Sequence, residues 1–285
     1  METAKAAGSR ISLSGMLKEL GVSRSGYQAF LTRRPSESQI RKERVKQRIL
    51  EIHHDSNQNY GAPKIARLLQ KEGEHISERT VGQYMKELEI RAQWTKPWIA
   101  TTTGSDFSVE FRNILDMQFN PEHPNAVWCT DITYIWTHEG FAYLTSVMDL
   151  YSRKIIAWKL SNNMETGHVV DVINQAKSRR QTDQPLILHS DRGTQFVSEA
   201  YWKATEKFQL SYSRKGYPYD NACIESFHSL IKREWLNRFR IRSRSQAYKL
   251  VFEYIEAFYN TIRIHSHCDY MSPDQFERLY RKVVA

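Results

Sequence analysis

At Ala126 the texture of the chain changes, and the change limits the folds open to it. Upstream, apolar residues recur at helical intervals; downstream they come in short β-rich runs. Residues 127–136, 141–149 and 154–160 read as three strands, joined by short turns at His138-Glu139-Gly140 and Tyr151-Ser152-Arg153. A helix over 166–179 follows, with Val169, Val170, Val172, Ile173 and Ala176 apolar. Residues 185–189 form a fully apolar fourth strand, 198–208 another helix, and 210–214 a fifth strand. Three consecutive strands and then alternating helix and strand predict an α/β fold, a mixed five-stranded sheet flanked by helices.

Three acids fall at telling places on that frame. Asp131 interrupts the first strand, Asp191 follows the fourth, and Glu225 lies on a later helix running from Asn221 past Trp235. Asp131 is mid-strand, so its side chain must leave the sheet at an open edge of a site. Carboxylates gathered from two strands and a helix call for a divalent cation to neutralise them. Paired hard cations are also what cut and join phosphodiester bonds, by activating the attacking oxygen and stabilising the leaving one. On the Glu225 helix, Ile224, Phe227, Ile231 and Trp235 form the expected buried stripe. Glu225, Ser229 and Lys232 follow at i, i+4 and i+7, with His228 at i+3, a polar and basic row suited to a DNA backbone. Asp149 ends a strand beside Asp131 and reads as a turn-stabilising residue, while His189 and His228 read as structural or phosphate contacts.

The region before Ala126 is helical. Met16, Leu17 and Leu20 lie on a first helix broken at Gly21, and Ser23 caps a second with Tyr27, Phe30 and Leu31 on one face. A second unit begins with an amphipathic helix over 40–52, its expected buried side Ile40, Val45, Ile49 and Ile52. Asn59-Tyr60-Gly61 makes a turn, Pro63 suits the first turn of the next helix, and Gly73 stops it. Ser77 then caps a helix with Val81, Tyr84, Met85 and Leu88 inward and Arg79, Gln83 and Lys86 outward. Such a helix fits a DNA major groove, although a plain three-helix bundle would share the pattern. Residues 92–125 read as a linker punctuated by Pro97, residues 101–105, Pro121 and Pro124, with Trp94 and Trp98 as anchors.

The net charge of +9 is unevenly spread. Residues 1–105 carry +7, residues 106–225 carry −3 and residues 226–285 carry +5. An acidic middle between basic arms suits a metal-binding core held against a polyanion. No apolar run reaches the ~20 residues that span a bilayer, and residues 1–30 lack the apolar centre expected of a signal peptide. Cys129, Cys223 and Cys268 have no paired spacing, which argues against a disulfide framework or zinc knuckle and for a reducing cytoplasm.

Residues 130–134 (Thr-Asp-Ile-Thr-Tyr), 189–196 (His-Ser-Asp-Arg-Gly-Thr-Gln-Phe), 213–216 (Ser-Arg-Lys-Gly) and 220–227 (Asp-Asn-Ala-Cys-Ile-Glu-Ser-Phe) resemble the core of a DDE transposase. More narrowly they resemble the OrfB-type transposases of bacterial insertion sequences, relatives of retroviral integrases. Tyr259-Asn260 with Arg263 and His265, then residues 271–276, is similar to the C-terminal signature of that family, and Asn59-Tyr60-Gly61 to its helix-turn-helix region.

The resemblance implies a ribonuclease-H-like core over 126–240, preceded by helix-turn-helix units at 1–36 and 37–91, a linker at 92–125, and followed by a helical extension at 241–285. It implies that Asp131, Asp191 and Glu225 hold Mg²⁺, with Mn²⁺ as a substitute, and catalyse nicking and 3′-end strand transfer. Arg79, Gln83, Lys86, Arg192, Arg214, Lys215, Ser229 and Lys232 are the expected DNA contacts. Implied partners are double-stranded DNA, further copies of the chain, and the product of an upstream reading frame, in a bacterial, nucleoid-associated setting without a membrane. The alternative role is a non-catalytic DNA-binding accessory of a longer fused transposase.

Overall fold

The computed structural model describes residues 12–32, 34–93, 111–182, 186–215 and 217–284. The expected anchors Trp94 and Trp98, and the linker residues 94–110, lie outside them. The chain divides into two compact units, Met1–Glu51 and Ile52–Ala285.

In the first unit, Ser12 caps α1 (Leu13–Glu19) by accepting from Gly15 N at 3.1 Å. Gly21 makes the turn with a positive φ of 66°. Ser23 Oγ then accepts from Gly26 N at the start of α2 (Arg24–Thr32). The expected Ser23 cap is present, and Ser12 adds one not expected from the sequence. Among the described residues Phe30, Leu31 and Leu20 are exposed, and α2 has no buried residue. Helix α3 (Glu37–Asp55), within which the division between the units falls, buries Val45, Ile49 and Ile52 but leaves Ile40 exposed. Ile40 precedes Val45 by five residues, about 140° around a helix, so it cannot share the stripe.

In the second unit, α4 (Ala62–Lys71) and α5 (Glu78–Glu87) pack on each other through Ile65, Ala66, Leu69, Val81 and Met85. Pro63 occupies the first turn of α4, and Ser77 Oγ accepts from Thr80 N at 3.1 Å to start α5. The buried Tyr60 just before α4 reaches far along the chain, its hydroxyl accepting from Ile264 N at 2.9 Å.

The sheet has the order β3-β2-β1-β4-β5. Strands β1 (Val127–Thr137), β2 (Gly140–Asp149) and β3 (Lys154–Ser161) are antiparallel neighbours, while β4 (Ile187–Ser190) and β5 (Gln209–Tyr212) run parallel to β1. This is the predicted mixed, ribonuclease-H-like sheet. Helix α6 (Thr166–Arg180) covers one face, its Val169, Val172, Ile173 and Ala176 packing with Trp128, Val147, Ile156 and Leu188. On the other face lies α8 (Ala222–Glu234), followed by α9 (Arg244–Phe252), a π-helical stretch Glu253–Tyr259 and α10 (Pro273–Val284). No helix among the described residues is long and apolar enough to cross a membrane.

Two helices differ from expectation. The predicted helix over 198–208 is only α7 (Glu199–Ala204). Thr205 Oγ1 bonds back to Tyr201 O at 2.7 Å, and the chain turns so that Phe208 meets Trp128 edge-on at 5.7 Å. In α8 the buried set is Ile224, Phe227, His228 and Ile231, with Trp235 only half-buried beyond the helix end.

Candidate active site

The pairing of β1 creates the opening that the site uses. β1 meets β4 only through Val127, Trp128 and Cys129, so from Thr130 onward this side of the strand is free of β4. Trp128 and Ile132 belong to the core under α6. Side chains alternate along a strand, so Asp131 between them faces the α8 side. There its Oδ2 lies 3.2 Å from Nδ1 of the buried His228, with 16% of the Asp131 side chain exposed.

Asp191 sits one residue past the end of β4. Its Oδ1 accepts from Gly193 N at 2.9 Å. A Cβ at Gly193 would stand 3.1 Å from that oxygen, so the glycine permits the close turn. Protein crowding around its carboxyl, then the charge of Asp131, pushes Asp191 up to about 6. Glu225, in the first turn of α8, is also pushed up to about 6, by burial first and then by Asp131 and Asp191. The fold thus brings the three acids into one electrostatic field. Lys232 faces the same field: burial lowers its pKa while Asp131 opposes that, and its Nζ lies 4.7 Å from the Tyr134 ring centroid.

Behind Asp191, His189 pins β4 to β5. Its ring nitrogens lie 2.9 Å from Ser211 Oγ and 3.1 Å from Ser213 Oγ, and burial pushes its pKa down to about 4. It is a neutral structural link, as the sequence suggested. Asp149, fully buried, accepts from Tyr151 N and Asn125 N and lies 3.6 Å from Arg180, a turn-stabilising role that also matches expectation.

The remaining expected contacts separate into groups. Arg79, Gln83 and Lys86 are exposed on α5, opposite its buried Val81 and Met85. Arg192 donates to Ser213 O at 2.8 Å and Phe111 O at 3.4 Å, holding the backbone around Asp191. Arg214 engages the buried Asp220 through backbone N (2.7 Å), Nε (3.0 Å) and Nη2 (2.8 Å), which holds that carboxyl below its ordinary range. Lys215 is exposed, and Ser229 is half-buried with its carbonyl accepting from Arg233 Nε. The contact between His228 and Asp131 is sharper than the general structural reading of that histidine. Its i+3 offset from Glu225 was the available signal.

Among the described residues, no three His, Cys, Asp or Glu side chains form a ready-made metal cage. The donor chemistry nevertheless fits a hard cation. One oxygen of Asp131 is taken by His228 and one of Asp191 by Gly193. Asp191 and Glu225 are raised by burial and then by the charge of Asp131, and a divalent cation among them would reverse that field.

Comparison with known families agrees with this architecture. Residues 41–98 match the HTH-like domain, and residues 121–218 and 206–273 match two models described as Integrase core domain. The chain is 36% identical over 248 residues to the transposase for insertion sequence element IS904 of Lactococcus lactis, covering 86% of this chain and 98% of that protein. It is 34% identical over 270 residues to transposase InsF for insertion sequence IS3A of Escherichia coli K12, covering 93% and 94%. The catalytic core of HTLV-2 integrase, solved with magnesium, is 17% identical with a TM-score of 0.41, covering 55% of this chain and 98% of that one. From its sequence identity and shared domains, the chain belongs to the insertion-sequence transposases that carry an integrase core.

Proposed function

We propose that Asp131, Asp191 and Glu225 are the catalytic acids of a Mg²⁺-dependent DNA strand-transfer reaction. The observation that carries this reading is that Asp131 stands on the β1 edge left free by β4 and its charge reaches both Asp191 and Glu225, which burial first and that charge next push up to about 6. These three side chains would hold Mg²⁺, for which Mn²⁺ could substitute. Bound there, the metal supplies activation of an attacking oxygen and stabilisation of a leaving one.

The protein's own groups supply position. His228 fixes one oxygen of Asp131, and Gly193 N fixes one of Asp191, so each acid presents its other oxygen in a set direction. Lys232 places a cation beside the same cleft for a phosphate. Lys215 and Ser229 would contact the DNA backbone nearby. Arg192 and Arg214 act mainly by holding the loops that carry Asp191 and lead into α8. Arg79, Gln83 and Lys86 on α5 would read double-stranded DNA at the element ends. Two ends must be paired for movement of an element, so more than one copy of the chain would assemble on DNA, with an upstream-frame product as a further partner.

The test is a nicking and joining assay with element-end DNA and Mg²⁺. Asp131→Asn, Asp191→Asn and Glu225→Gln should each abolish both steps while DNA binding persists. Retained cleavage in any of the three would remove that residue from the reading. Binding without nicking or joining by the unaltered protein would leave the accessory role instead.

A further inference from the structure

The cover that α6 gives the sheet ends before the β1–β2 hairpin does. Ile132 and Val147 lie in the core beneath α6, and the same face continues outward to Tyr134, Trp136, Phe141 and Tyr143. Tyr134 stands opposite Tyr143, and Trp136 opposite Phe141. The rings form one block, with centroids 5.4 Å apart for Tyr134–Phe141, 4.9 Å for Trp136–Phe141 and 6.5 Å for Phe141–Tyr143. Trp136 is 62% exposed, and Tyr134 and Phe141 are each 42% exposed. A contiguous aromatic surface of this kind marks a place where something binds.

The surroundings say what. Lys232 rests over the Tyr134 ring. The segment after α8 reads Arg238-Phe239-Arg240-Ile241-Arg242-Ser243-Arg244 and contains no acid. It passes the hairpin tip, where His138 N donates to Ile241 O at 3.1 Å and Arg244 Nε to Phe141 O at 3.3 Å. Arg240 and Arg242 are exposed there. The tip's own acid, Glu139, already accepts from Arg244 N at 2.9 Å. Flat rings ringed by cations match nucleotides, whose bases stack and whose phosphates need positive charge. Tyr134 lies three residues beyond Asp131, about 10 Å along an extended strand and on the opposite face of β1. Lys232, over the Tyr134 ring and within the field of Asp131, stands at the strand's open edge between the two faces.

We propose that Tyr134, Trp136 and Phe141, with Lys232, Arg240 and Arg242, form a stacking platform for unpaired nucleotides of the DNA next to the bond being broken or joined. This rests on the reading of the three acids as a DNA strand-transfer site. A duplex offers base faces only where it is frayed or unpaired, so the platform favours opened element ends. Their strand would pass round the open edge of β1, beside Lys232, to bring its next phosphate to the acids on the other face.

The test uses the full chain and a labelled single-stranded oligothymidylate of about 10 nucleotides, a length within the span of a stacking groove. Trp136→Ala and Phe141→Ala should each weaken its binding about tenfold, the order expected for one lost stacked base. Trp136→Tyr should restore it, and affinity for blunt element-end duplex should stay unchanged. Wild-type joining should speed up when the terminal base pairs are mismatched, and Trp136→Ala should lose that gain. Unchanged oligothymidylate affinity in both alanine variants would overturn the platform. If sedimentation then shows a smaller assembly, the face belongs to a second copy of the chain, which overturns it equally. Platform-dependent binding with no nicking or joining by wild type would refute the strand-transfer reading while upholding the platform. Normal joining on mismatched ends by Trp136→Ala would refute the platform alone.

Discussion

His228 Nδ1 lies 3.2 Å from Asp131 Oδ2, and the histidine that makes this contact is buried in α8 while the aspartate stands on the open length of β1. A helix and a strand far apart in sequence are thereby joined at the carboxyl group proposed to hold a metal. The geometry is that of an outer partner orienting a ligand.

If the contact orients Asp131, His228→Leu should leave the melting temperature close to wild type yet lower both Mg²⁺ affinity and joining rate about 10–100-fold, the usual effect of losing such a partner. His228→Asn should recover part of both. Mg²⁺ titration by calorimetry checks the first, and equal affinity in wild type and the leucine variant would reduce the contact to packing.

Arg263 and Glu234 make two hydrogen bonds of 2.7 Å each, with 7% and 13% of their side chains exposed, and Tyr254 adds a third bond to the glutamate at 2.8 Å. Arg263→Met should destabilise the protein by about 3–5 kcal/mol in denaturant titration, because the glutamate is left buried without its counter-charge. Adding Glu234→Leu should recover much of that loss. A double variant no better than the single one would show that the pair's shape, not its charge, matters.

Lys64, with its ammonium 4.7 Å from the Tyr60 ring centroid, has its pKa lowered to about 7, chiefly by burial and next by Arg263. A depressed folded pKa means the unfolded chain takes up the proton first as pH falls. This residue's contribution is therefore full above the unfolded value near 10.5 and lost as pH falls through about 7. Thermal stability should rise between pH 7 and 10 in the wild type relative to Lys64→Met. Parallel melting curves for the two proteins over that window would contradict the burial of the charge.

Arg79 and Lys86 lie exposed on one face of α5. If both meet phosphates of element-end DNA, changing either to alanine should reduce the slope of log affinity against log salt by about one. Gln83→Ala should instead blur sequence preference with the slope unchanged. Three variants with wild-type slopes and preferences would move DNA reading away from α5.

The first three strands were readable because they are long and tightly turned. Alternation over 127–137 and turns at 138–139 and 150–153 set the register that places Trp128 opposite Asp149. The three acids were readable from the motifs around them. What escaped was set by distant partners. Tyr60 is anchored by Ile264, about two hundred residues on, and the buried His228 meets an acid on a distant strand. Phe30 and Leu31 show the converse: the helix forms with its cap and its apolar face, yet among the described residues both side chains remain exposed. Local pattern decides which residues can be inward; only the partner decides which are.

Helix α8 carries Glu225 in its first turn and Glu234 in its last, and only the latter is clamped by an arginine. The helix is packed along its length by Ile224, Phe227 and Ile231, so the Arg263 clamp fixes one end of an element whose other end, roughly 13 Å away at the rise of an α-helix, carries Glu225. An Arg263 variant that still folds should therefore lose joining activity together with stability, although the arginine touches none of the three proposed catalytic acids.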